Sequence, residues 1–318
     1  MLTVLLATRG RPASLRQVLE SYTRLTPPPG GWELIVADGP PDMASGVVRG
    51  FADRLPAVHM PAKEVGKSRA LNQALELAAG DLILFTDDDI LPERSWLAEY
   101  VAAAAAHPDF DIFGGPVRPK WPSEPPRWAV CDLRARTACF MDTGPPPPSG
   151  PTETWMTGQN LAIRRRALSA EIRFDARLGA GDNEPMGEEV HLTERLRRQG
   201  CKTWWVAGAQ VEHIIRLEQL NKRWMLHRAS RFGRSEFWLN AEFRRETPRL
   251  AGMPRWLVRH ALEQAARVAA ACIRGSEEEL FVARWNLRVM LAELGEARRL
   301  RGSRDPAGLG SSSRRASS

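Results

Sequence analysis

Cysteine is scarce in this chain of 318 residues, which has four: Cys131, Cys139, Cys201 and Cys272. No two share Cys-x-x-Cys spacing, which argues against a thioredoxin-like motif and a structural zinc site, and they read as separate thiols of a reducing cytoplasm. Long apolar runs are also missing. No stretch approaches the roughly 18 uninterrupted apolar residues of a membrane-spanning helix. The opening MLTVLLATRGRP has no basic flank ahead of its short apolar run and does not read as a signal peptide. Tyrosine is rare, two residues against 11 tryptophans, so large-aromatic packing falls mainly to tryptophan. There is no internal repeat. No glycine-rich, basic phosphate loop follows the first apolar run, which argues against a nucleotidyltransferase.

What is present is ordinary for a globular protein, with 43% apolar and 26% charged residues. The length suits one large domain, or one domain with an appendage. The formal net charge is +7, and much of the basic excess falls after residue 215. That balance favours an acidic partner surface: anionic lipid, a phosphorylated substrate or nucleic acid.

The first hundred residues alternate strand and helix. TVLLA (3–7), ELIVA (33–37), AVHM (57–60) and DLILFT (81–86) read as strands. RPASLRQVLESYTRL and GKSRALNQALELAAG place apolar residues at helical spacing between them, the second stopping at Gly80. Strands apolar at every position and joined by helices predict a mostly parallel sheet covered on both faces, an α/β fold. Farther on, FDIFGGPV and NLAIR read as strands, KTWWVAGAQVEH as a strand and turn ending at His213, and PMGEEVHLTERLRRQG as a helix. Two proline-rich stretches, RPKWPSEPPRWAV and TGPPPPSGPTE, read as loops.

In GDLILFTDDDI the buried run ends on Asp87, Asp88 and Asp89. At about 5 Å and an effective dielectric of about 20, each pair of adjacent carboxylates repels by roughly 3 kcal/mol. A hard divalent cation such as Mg²⁺ or Mn²⁺ reverses the sign, and such ions commonly carry substrate phosphates. The alternative is a solvated acidic strand end capping the next helix. Open α/β sheets bind ligands at the carboxyl ends of their strands, where Thr8, Arg9 and Asp38 also fall.

With these motifs in order, the sequence resembles glycosyltransferase family 2, inverting nucleotide-sugar transferases of the GT-A fold. The resemblance covers about residues 2–215. It rests on VLLATRGRPASLRQVLES, ELIVADG, GKSRALNQALELAAGDLILFTDDD, WMTGQNLAIRR, FDARLGAGDNEPMGEEVHLTERLRRQG and VEH. It implies a Rossmann-like mostly parallel central sheet flanked by helices, a nucleotide-diphospho-sugar donor and a divalent metal, Mn²⁺ or Mg²⁺. Carried over residue by residue, it makes Asp87, Asp89 and His213 metal ligands, His213 having a purely structural role as its alternative. Thr8, Arg9, Asp38, Arg69, Asp87 and Asp88 would meet the donor, Arg69 being equally a solvated helix charge. Glu189 would be the catalytic base with Glu188 as its substitute. Both also suit the first turn of a helix, where the macrodipole favours acids. Trp155, Gly158 and Asn160 would line the acceptor site, although Trp155 also suits a core. Two departures stand out: Ala37 where an aspartate is commoner, and Glu189 where the family has aspartate.

The expected organisation is a catalytic domain over 1–215, a basic helical extension over 216–301 and a disordered tail over 302–318. The implied acceptor is a glycan or lipid-linked molecule of cell-envelope polysaccharide biosynthesis. WLVRHALEQAARVAAACIRG is a basic amphipathic helix suited either to peripheral contact with an anionic membrane, at its cytoplasmic face, or to solvent. The alternative to an enzyme is a basic membrane- or nucleic-acid-binding module. No recognised nucleic-acid motif accompanies the arginines, so no nucleic-acid partner is expected.

Overall fold

The computed structural model describes residues 1–169, 171–179, 185–241, 249–250 and 253–302. The expected tail lies, from residue 303, outside the described residues. The chain divides into two compact units, Met1–Trp224 and Met225–Ser318.

The first unit begins with β1 (Leu2–Thr8), α1 (Pro12–Tyr22), β2 (Trp32–Asp38), α2 (Ser45–Arg49), β3 (Ala57–Pro61), α3 (Lys67–Leu77) and β4 (Leu82–Asp87). It continues through β5 (Ile90–Pro92), α4 (Trp96–Ala106), β6 (Ile112–Gly114), β7 (Val117–Lys120), α5 (Arg127–Val130), α6 (Leu133–Phe140) and β8 (Gly150–Pro151). β9 (Leu161–Arg164), α7 (Glu188–Arg198), β10 (Thr203–Trp205) and β11 (Val211–Ile214) follow, with short 3-10 turns at Arg165–Ala167 and Leu217–Gln219. α8 (Lys222–Ala241) starts at its end. The second unit holds the rest of α8, the short pair β12 (Arg249–Leu250) and β13 (Met253–Pro254), α9 (Arg255–Arg274) and α10 (Glu277–Gly302).

The main sheet has the order β3-β2-β1-β4-β9-β6-β10-β8. β9 runs antiparallel to both its neighbours, and β8 antiparallel to β10; the remaining pairs are parallel. This is the mostly parallel α/β sheet that the apolar runs imply. All seven residues of β1 are buried. Because side chains alternate across a strand, Leu2, Val4 and Leu6 join a core with Leu15, Leu19 and Trp96 on one face. Leu5 and Ala7 join Leu71, Ala74, Leu192 and Leu196 on the other.

Three local expectations change. FDIFGGPV is two strands in different sheets, because the chain turns at Gly115, where a Cβ would lie 2.4 Å from the Ala209 carbonyl oxygen. α3 ends at Leu77, before Gly80. The glycine is instead required where the chain passes β1, since a Cβ there would approach the Thr3 nitrogen to 2.6 Å. The first proline-rich stretch leads into α5 and α6, and α6 is capped by Asp132, which accepts from the Ala135 amide at 2.7 Å. Among the described residues no helix is long and apolar enough to cross a membrane.

Candidate active site

Parallel register sets Thr8 beside Asp38 and Ala7 beside Asp87, so the ends of β1, β2 and β4 open on one edge. The three aspartates meet three different environments there. Asp87 takes Lys67 Nζ at 2.8 Å on Oδ1 and accepts from Gln159 Nε2 at 3.0 Å. Asp88 is fully buried, paired with Arg11 Nη2 at 2.7 Å and accepting from the Thr8 hydroxyl. Asp89 faces Arg11 Nη1 at 2.9 Å, His213 Nε2 at 3.7 Å and Arg216 Nη1 at 3.7 Å.

Burial is the strongest influence on both Asp88 and Asp89, yet they shift in opposite directions. Asp88 is pushed up to about 7, since the Arg11 charge does not offset burial and its two acidic neighbours add to it. For Asp89 the nearby His213 and Arg11 outweigh burial and hold the carboxyl well below its usual range. His213 is correspondingly raised: burial would lower it, but Asp89 prevails.

Strand pairing explains how these distant residues meet. β11 runs antiparallel to β5 with His213 opposite Ile90, one residue past Asp89. The Ile214 amide also donates to the Asp89 carbonyl at 2.8 Å. His213 Nδ1 lies 2.8 Å from the Phe140 carbonyl at the end of α6. A carbonyl only accepts, so Nδ1 carries the proton and Nε2 is the atom turned toward Asp89. The β9–β4 ladder pairs Leu161 with Phe85, and continuing it sets Gln159 opposite Asp87.

Two glutamates occupy the first turn of α7 behind this edge. Gly187 before them adopts φ +87°, and both side chains are buried. Glu188 Oε1 pairs with Lys67 Nζ at 3.2 Å, so one ammonium bridges Asp87 and Glu188. Glu189 Oε1 accepts from the Gly158 amide at 3.1 Å, while its buried Oε2 receives no hydrogen bond from the described residues. Burial first, then the charge of Glu188, push Glu189 up to about 7 against the opposing pull of Lys67. Glu188 stays below its ordinary value because Lys67 outweighs burial. Gly158 and Gly179 make room for the pair: a Cβ would lie 2.9 Å from Glu189 Cδ at the first and 2.8 Å from Glu188 Cδ at the second.

The remaining candidates disperse. Asp38 Oδ2 accepts from the Met43 and Ala44 amides at 2.9 and 2.8 Å, holding the loop after β2, and lies 3.4 Å from His59 Nε2. Its buried Oδ1 has no hydrogen-bond partner among the described residues. Asp38, Asp42 and His59 gather closely enough to hold a cation at the end of β2. Arg9 Nε donates to the Pro40 carbonyl at 3.2 Å. Trp155 is 51% exposed, not core.

Two of the expected site residues are engaged within the protein. Arg69 pairs with Glu64 at 3.1 Å, whereas Lys67 reaches Asp87, because residues two apart project from different sides of a helix. Asn160 has no capacity left for an acceptor. It is fully buried, its Oδ1 accepts from Trp96 Nε1 and the Tyr100 hydroxyl at 2.8 Å each, and its Nδ2 donates to the Pro116 and Ala209 carbonyls at 3.1 and 2.7 Å.

The model of the family described as glycosyl transferase family 2 matches residues 3–169, more than half the chain. The chain belongs to glycosyl transferase family 2. Among solved structures, the mannosyltransferase PcManGT from Pyrobaculum calidifontis, in complex with GDP-Man and Mn²⁺, is similar at TM-score 0.59 with 19% identity, covering 93% of this chain and 86% of that one. TarS residues 1–349 from S. aureus, in complex with UDP-GlcNAc, is similar at TM-score 0.52 with 15% identity, covering 94% and 91%. These likenesses show the fold, that of GT-A glycosyltransferases. Comparison with curated proteins finds no significant match.

In this family 2 glycosyltransferase, sequence reasoning passed over Arg11, Lys67, Gln159 and Arg216. Arg11, Lys67 and Gln159 lie inside the motifs that carry the resemblance, but their direction follows from register and helix phase. Gly158 was expected to admit an acceptor; its neighbour is Glu189. Gly158→Ala is therefore expected to displace that carboxylate and cut turnover by up to about 100-fold. Steady-state kinetics alongside a thermal melt checks this, a large drop in turnover with an unchanged melt being the expected result.

Proposed function

We propose that the chain moves a sugar from a nucleotide-diphosphate sugar to an acceptor hydroxyl with inversion, in glycan or cell-envelope polysaccharide assembly. The observation that carries the reading is the Glu189 carboxylate: buried, held by the Gly158 amide on one oxygen, without a hydrogen bond from the described residues on the other, and pushed to about 7 by burial and Glu188. A base poised near neutrality suits proton abstraction from a hydroxyl. Glu188 is already engaged by Lys67, which favours Glu189 for the role.

Glu189 Oε2 takes the proton of the acceptor hydroxyl as its oxygen attacks the anomeric carbon. The bond from that carbon to the diphosphate oxygen breaks in the same displacement, which inverts the centre. Asp38, with its unsatisfied Oδ1, and Thr8 and Arg9 border the nucleotide. Arg11 and Lys67 balance the carboxylates facing the diphosphate. Trp155, being exposed, offers a face on which an acceptor sugar can stack.

Asp87, Asp89 and His213 would hold Mn²⁺ or Mg²⁺. The fit rests on His213, whose protonated Nδ1 leaves Nε2 facing Asp89 Oδ2 across 3.7 Å. When bound, the ion supplies Lewis-acid neutralisation of the charge developing on the leaving diphosphate. The presence of GDP-Man and Mn²⁺ in the PcManGT structure, and of UDP-GlcNAc in that of TarS, supports a donor of this class.

The test is calorimetric titration of a sugar-nucleotide panel, with and without Mn²⁺, on wild type and Asp89→Ala. One donor is expected to bind in a Mn²⁺-dependent way and to lose at least about tenfold in affinity in the variant. Binding of no donor, or metal-independent binding that survives Asp89→Ala, defeats the assignment.

A further inference from the structure

Charge is divided unequally between the two units. Met225–Ser318 contains 18 arginines, no lysine and ten acidic residues, a balance of +8. Met1–Trp224 contains 27 basic and 28 acidic residues, a balance of −1, which together account for the chain's +7.

Within the second unit, α9 has two unlike sides. Leu257, Ala261 and Ala271 are buried, and the helix packs on α10. The opposite side carries Leu262, 68% exposed, and Ile273, 87% exposed, with exposed Ala266 and Ala269 between them. Positions 262, 266, 269 and 273 fall on one stripe of a helix. Arg255, Arg259, Arg267 and Arg274 are also exposed, and Glu263, paired with Arg259 at 2.8 Å, is the helix's only acid. An apolar stripe beside arginines, on a helix too charged to cross a bilayer, has the form of a helix lying in the headgroup layer.

We propose that α9 is a membrane-surface helix of this protein, resting on an anionic leaflet with Leu262 and Ile273 inserted among the acyl chains and its arginines on lipid phosphates. Arg guanidinium groups pair with phosphate oxygens in two-point geometry, and their aliphatic stems let the charges reach the headgroups from beside an inserted stripe. Charge decides against a second copy as the occupant. Two such faces would each bring four arginines and a single glutamate, which is repulsive, whereas an anionic leaflet supplies the missing sign. The proposal is independent of the donor chemistry, so failure of either leaves the other standing.

The test is flotation of the full chain with phosphatidylcholine vesicles, with and without phosphatidylglycerol, at low and physiological salt. The chain is expected to float with the anionic vesicles only, and less at higher salt. Leu262→Ser/Ile273→Ser is expected to weaken binding at least about tenfold, and Arg255→Gln and Arg267→Gln by roughly fivefold each. All four positions are exposed, so melts matching wild type are expected and verify the fold. The proposal is overturned if the full chain stays out of the anionic vesicle fraction at low salt, or if the double serine variant floats as well as wild type. It is also overturned if sedimentation reveals a dimer that the double variant dissolves, which would assign the face to a second copy.

Discussion

Glu189→Gln is expected to lower the rate of sugar transfer by about 10²- to 10⁴-fold while leaving donor binding intact. Glutamine keeps the shape and can still accept from the Gly158 amide through its carbonyl oxygen, but it cannot take a proton. Wild-type turnover should also carry a pH limb. The carboxyl is raised to about 7, and a base works only when deprotonated, so activity is lost as pH falls through that value and is full above it. The variant's residual rate should lack the limb. Glu188→Gln should leave the limb in place, because the Lys67 bridge holds Glu188 ionised. Rate profiles across about pH 5 to 9 decide the matter. If Glu188→Gln rather than Glu189→Gln removes the limb, the roles are reversed.

Asn160→Ala is expected to destabilise the first unit by about 3–5 kcal/mol, near the top of the range for single substitutions. The side chain links α4, through Trp96 and Tyr100, to the carbonyls of Pro116 and Ala209. Alanine leaves the buried Trp96 indole N–H and both carbonyls without this partner. Tyr100 keeps its bond to the Asn160 main-chain oxygen at 2.9 Å, so Tyr100→Phe should cost distinctly less. Urea unfolding of the two variants measures the difference, and a similar cost for both would show that the amide is not the linchpin.

These two expectations mark where sequence was informative and where it was not. β1, β2 and β4 could be read directly, because strands buried on both faces are apolar at every position. The aspartates following β4 were conspicuous because a charge run is costly beside such a strand. Asn160 was assigned to the acceptor site by resemblance. Only the packing of α4 against the turn around Pro116 and Ala209 reveals that all four of its hydrogen-bonding positions are taken. His213 reaches Asp89 through the antiparallel pairing of β11 with β5, a contact between segments far apart in the chain that no local pattern encodes. α6 was hidden among prolines, although its last residue supplies the carbonyl that fixes the His213 ring.

Lys67 has one positive charge and two claimants, Asp87 on the strand edge and Glu188 behind it. This makes the two carboxylates thermodynamically linked without touching. Whatever strengthens or loosens the ammonium's hold on Asp87 changes the field at Glu188, and through it the proton affinity of Glu189. Linkage requires the converse with the same free energy. The protonation state on the α7 side is therefore felt by whatever occupies the strand edge, so proton and ligand equilibria at the two ends cannot be independent.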